Sequence, residues 1–136
     1  MSESAIHIEL VNHMAEWVVN KLLDGNDAYL LIDGPFSKYS GRPPLIIGHM
    51  PDLYVYQKAK ELLVIGEAKT SKDLDSERSE KQIGAFLSHC SSYSNSIFVL
   101  AVPWYKARFA DSLLRMIQRS IGGQLVFTKV LEMLPG

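Results

Sequence analysis

An α/β sandwich with a mixed central sheet is the fold class this chain predicts, and three observations predict it. Apolar runs of strand length ("AYLLI", "LLVIG", "SIFVLAV") stand between stretches whose apolar residues recur at helical spacing. Taken in sequence, the elements run α-β-β-β-α-β-α-β, which buries helices on a sheet. The length of 136 residues, 47% hydrophobic and 21% charged, suits one domain over residues 1–136 with a core of its own.

The first element is a helix from about Ser4 to Asp24, on which Ile6, Leu10, Met14, Trp17 and Leu22 recur with Val11 and Val18. Ser4 is its expected cap and Gly25 its stop. Residues 28–33, "AYLLID", read as a strand, and 34–44, with two glycines and three prolines, as a loop. "LIIGHMPDLYVY" (45–56) is strand-like, with an interruption near Gly48–Pro51. "QKAKE" (57–61) has hairpin length, and "LLVIGEAK" (62–69) is the next strand. A polar link leads to a helix over roughly Ser76 to Tyr93, followed by a buried strand at 95–102. Pro103 opens a helix from Trp104 to about Ser120, "GG" at 122–123 breaks it, and "QLVFTKVL" is a final strand or short helix.

Several function classes are excluded early. The apolar runs are far too short to span a bilayer, so no membrane association is expected. "MSESAIHIEL" has no basic region followed by an apolar block, so no signal peptide is expected. Cys90 stands alone, which fits a reducing cytoplasm and offers no zinc pattern. His-based metal motifs and phosphate-binding glycine loops are missing. Net charge is −1, yet acids dominate through Phe36 and bases dominate after Asn95, as an acidic site beside a basic surface would require.

The chemistry concentrates in "PDLYVYQKAKELLVIGEAKT" (51–70). Glu67 and Lys69 end an apolar strand and project to the same face, two residues apart. A hairpin centred between Ala59 and Lys60 places Asp52 opposite Glu67; a register shifted by one turns Asp52 away. Two buried carboxylates repel unless a cation lies between them, and hard oxygen donors suit Mg²⁺. The plainer alternative is a structural ion pair at a strand end.

"PD" at 51–52, fourteen residues, then "EAK" at 67–69 resembles the PD-(D/E)XK nuclease superfamily, and the element order over residues 4–102 is similar to its restriction-endonuclease-like fold. The resemblance implies an Mg²⁺-dependent nuclease, with Mn²⁺ as substitute, hydrolysing phosphodiesters in DNA, as an endonuclease. It implies that Asp52, Glu67 and the backbone carbonyl of Ala68 ligate the metal, and that Lys69 activates water or stabilises the phosphate. Many members add a glutamate from the first helix, for which Glu9 and Glu16 both qualify, and a supporting helix residue, here Gln82. A solvated helix face is the competing reading of Glu9 and Glu16.

Arg78, Gln82, His89 and Tyr93 fall on one helical stripe. On the last helix, Arg108, Arg115 and Arg119 form either a solvated face or a track for a DNA backbone, and Lys38 and Arg42 in loop 34–44 could also meet phosphate. His49 is a further loop candidate for phosphate contact, whereas His7, His13 and His89 receive no role. So small a domain leaves little room for a sequence-reading module, so specificity is expected from DNA shape, from a homodimer or from a specificity-giving partner protein. A catalytically idle domain of the same fold, binding nucleic acid or aiding assembly, is the competing function.

Overall fold

Backbone hydrogen bonding along the apolar runs generates five strands, and the helical stretches between them cover both faces of the resulting sheet. The structure, a computed structural model, describes residues 3–34, 41–122 and 125–135. The first half contains α1 (Glu3–Leu22), β1 (Leu30–Ile32), β2 (Leu53–Gln57) and β3 (Leu62–Ala68). The second contains α2 (Ser71–Leu74), α3 (Glu77–Cys90), β4 (Asn95–Pro103), α4 (Ala107–Ile121) and β5 (Phe127–Met133). The expected α/β order is present, with α2 as an addition within the polar link. None of the described helices is long and apolar enough to cross a membrane.

Sheet order is β1-β2-β3-β4-β5. The first three strands pair antiparallel, whereas β3–β4 and β4–β5 are parallel. Two successive crossovers in one direction place α3 and α4 together on one face, and α1 covers the other.

Strand β3 lies at the centre and is buried at every residue. Its side chains alternate as strand geometry demands: Leu62, Val64 and Ala68 join the α1 core, while Leu63 and Ile65 join the α3–α4 core. Gly66 faces α1, where a Cβ would lie 2.7 Å from Met14 Sδ and 3.1 Å from Leu53 Cβ. Only glycine permits that approach, so the helix presses on β3 one residue before Glu67.

Local chemistry accounts for the differences from the sequence-based boundaries. Helix α1 starts one residue before Ser4 and closes early, through Asp24 and Gly25 at positive φ (52° and 82°). The Asn26 side chain accepts the Ala28 N–H (3.0 Å), holding the expected start of β1 in a turn. Ile46 and His49 exchange two backbone hydrogen bonds around Ile47 and Gly48, both at positive φ, so β2 begins only at Leu53. Ser76 caps α3 by accepting the Ser79 N–H (3.1 Å), and the helix ends at Cys90 rather than Tyr93. A 3₁₀ turn at Trp104–Lys106 precedes α4, and the final element is a strand. Residues 35–40, with Lys38, and Gly123 of the expected break lie outside the described residues.

Candidate active site

The β2–β3 hairpin does most of the positioning. Its 3₁₀ turn, Lys58–Lys60, closes with Glu61 in the left-handed conformation, and its register pairs Leu53 with Gly66. One step further, Asp52 stands opposite Glu67, as the hairpin centred between Ala59 and Lys60 predicts. The Asp52 N–H donates to Glu67 Oε1 (3.1 Å), and the Ala68 N–H donates to Asp52 Oδ2 (2.8 Å). Each carboxylate is thus held by the other strand's backbone. Parallel pairing fixes the next residue, since the Lys69 N–H donates to the Ala101 carbonyl on β4 (3.0 Å).

Asp52, Glu67 and Lys69 retain only 8%, 4% and 9% of their accessible surface. Lys69 Nζ lies 3.2 Å from Glu67 Oε2 and also donates to Gln82 Oε1 on α3. On the opposite side, His7 Nε2 of α1 lies 3.3 Å from Asp52 Oδ1. The centre therefore ties β2, β3, α1 and α3 together at one end of the sheet.

Its electrostatics are unbalanced. Burial, and then the adjacent charge of Asp52, push the Glu67 carboxyl well above its ordinary 4.5, although Lys69 opposes both. Without another cation, Glu67 favours its protonated form and shares a hydrogen bond with Asp52. The hydrogen bond from His7 to Asp52 raises the imidazole above its ordinary 6.5, against the lowering effect of burial.

Of the helix residues expected to join this centre, Gln82 does so through Lys69. Glu9 and Glu16 do not: both are exposed on α1. The α1 residue that reaches Asp52 is His7, to which the sequence reading gave no role. A signal for it existed, because His7 stands three and seven residues before the fully buried Leu10 and Met14, on the sheet-facing stripe. Arg78, one turn before Gln82 on the same face of α3, is exposed, and no bond from it to the centre is found among the described residues. On that stripe, His89 instead packs its ring against Tyr93 (5.2 Å), which in turn meets Tyr56 edge to face.

Arg108, Arg115 and Arg119 are exposed on α4, with Arg115 bound to Asp111 at 2.7 Å. Arg108 and Asp111 help line an open groove of about 340 Å³ against Lys129 and Glu132 of β5. Arg42 lies 3.8 Å from Asp33, and His49 sets its ring edge against Phe86.

The donor set suits a hard cation. Asp52 and Glu67 offer carboxylate oxygens, and the Ala68 carbonyl points to the same strand edge as the N–H given to Asp52. Mg²⁺ commonly uses one or two carboxylates and keeps several waters. Among the described residues, no group of three or more His, Cys, Asp and Glu side chains is arranged to hold a metal ion alone. Compared with protein-family models, curated proteins and solved structures, the chain matches none.

Proposed function

We propose that this protein is an Mg²⁺-dependent nuclease of the PD-(D/E)XK type, with a restriction-endonuclease-like fold, that hydrolyses phosphodiester bonds in DNA. The observation that carries the reading is the buried pair Asp52–Glu67, whose backbone and side-chain hydrogen bonds hold two carboxylates together beside a single lysine, with the Glu67 carboxyl raised first by burial and then by Asp52. Asp52, Glu67 and the Ala68 carbonyl would hold the metal, with Mn²⁺ as a substitute. Bound there, the metal supplies a water of lowered pKa and neutralises charge on the phosphoryl oxygens.

The chain's own residues do the rest. Lys69, aimed by Gln82 and Glu67, sets an ammonium beside the reacting phosphate, where it orients water and stabilises developing charge. Lys69 works against the upward push of burial on Glu67 and so favours the ionised form that a metal would require. His7 holds Asp52 from the α1 side and offers a proton near the leaving oxygen. DNA as partner, a homodimer or specificity-giving partner protein, and the cytoplasmic setting suited to the lone Cys90 complete the proposal.

A second reading has its own support. Asp52 Oδ1 and Oδ2 and Glu67 Oε1 and Oε2 each already engage a group of the protein, as in an idle domain that uses the cluster structurally. Incubation with supercoiled plasmid, branched DNA and single strands, with and without Mg²⁺ or Mn²⁺, separates the two. Metal-dependent cleavage that disappears in Asp52→Ala is expected. No cleavage, with no rise in melting temperature on adding either metal, would leave the idle reading.

A further inference from the structure

Strand β4 ends level with the candidate centre, since Ala101 accepts the Lys69 N–H. Two residues further, the chain leaves the sheet at Pro103 and presents Trp104 and Tyr105, whose side chains a buried strand end would be expected to hide. Both are open, Trp104 at 48% and Tyr105 at 58% exposure. Their rings nonetheless hold a defined arrangement, edge to face with centroids 5.6 Å apart and planes at 84°. Tyr105 Oη is tied to Ser71 Oγ at 3.2 Å. Ser71 follows Lys69 by two residues, so the tether lies within about 7 Å of backbone from the lysine.

We propose that Trp104 and Tyr105 form a stacking platform for an unpaired nucleobase beside the Asp52–Glu67–Lys69 centre, which makes single-stranded DNA the substrate class; this rests on the nuclease reading above. Exposed aromatic faces stack any base through its π-surface, whereas a base within a duplex has no free face to offer. The tether to Ser71 fixes Tyr105 before binding, which reduces the ordering cost of capture. Lys106 follows directly, with its Nζ held over the Phe109 ring at 5.3 Å, and adds a cation beside the platform for the backbone of the same strand.

The test is binding to the full chain in chelator, where no cleavage occurs. The probes are a strand of about twelve deoxyadenosines, its blunt duplex, and an abasic strand of equal charge. The intact strand should quench tryptophan emission and bind about tenfold or more tightly than the abasic strand. Trp104→Ala and Tyr105→Ala should each lose about tenfold on the intact strand and little on the abasic one. Trp104→Phe should keep most of the affinity while losing the quench, which distinguishes Trp104 from the half-buried Trp17. Equal affinity of the parent for intact and abasic strands, tighter binding of the duplex, or equal losses on both single strands would overturn the platform. Cleavage measured separately isolates the other claim: base-dependent binding without metal-dependent cleavage overturns the nuclease reading and leaves the platform standing.

Discussion

Glu67 stands between Lys69, 3.2 Å away, and the backbone N–H of Asp52, with almost no water in reach. Its raised pKa has a definite thermodynamic sign. The protonated form favours the fold, so the contribution is complete below the ordinary 4.5 and is lost as pH rises through the higher folded value. His7 acts in the same direction, complete below 6.5 and lost above its own raised value. In chelator, melting temperature should therefore fall as pH climbs from about 4.5 through neutrality, and saturating Mg²⁺ should flatten the curve. A chelated curve that rises over that range would contradict the assignment. Glu67→Gln removes one of two anions facing one lysine, so it should melt a few degrees higher than the parent at alkaline pH in chelator and gain nothing from Mg²⁺. Lys69→Ala should keep the Mg²⁺ response and lose about two to four decades of cleavage. Parent-like cleavage by that variant would remove Lys69 from the chemistry.

Strand β3 carries both the central charged residues and a very close packing contact. At Gly66, Met14 can swing its thioether aside, but Leu53 Cβ at 3.1 Å belongs to the paired strand and cannot. Gly66→Ala should cost about 1–3 kcal/mol, read as a lower denaturant midpoint with an unchanged slope. No loss would mean that α1 rides further from the sheet than described. The hairpin was legible in the sequence because period-two alternation and turn length leave few registers that bury one face. Of the registers left open, the one centred between Ala59 and Lys60 sets Asp52 opposite Glu67, and it is the register found. The α1 contribution was harder to read. Helical spacing placed Leu10 and Met14 inward, but chemical type favoured Glu9 and Glu16 over His7, and only docking shows that the stripe ends at Asp52. The interruption expected near Gly48–Pro51 is a turn at 46–49, and the short α2 is an addition, because both arise from local hydrogen bonding and not from apolar periodicity.

At the scale of the whole molecule, the acidic centre is buried and the α4 arginines are exposed, so the proposed holding of substrate can be tested apart from the proposed chemistry. If α4 follows a DNA backbone, each free arginine adds nearly one unit to the slope of log affinity against log salt. Arg115 is half committed to Asp111 at 2.7 Å, whereas Arg119 is exposed in the last turn. Replacing both by Gln should flatten the slope by about one to two units while the Mg²⁺ response persists. An unchanged slope returns α4 to an ordinary solvated face. The 3₁₀ turn at Lys58–Lys60 has a further consequence. It is exposed and lies at the end of the hairpin away from the charged centre. Cutting the chain there leaves His7 and Asp52 on one piece and Glu67, Lys69 and Gln82 on the other. Neither half holds the whole charged cluster, and the antiparallel β2–β3 seam, together with the packing of α1 on the sheet, is what brings the pieces back together. Fused to two proteins that meet in a cell, the halves would act as a coincidence detector, inert apart and competent on reunion.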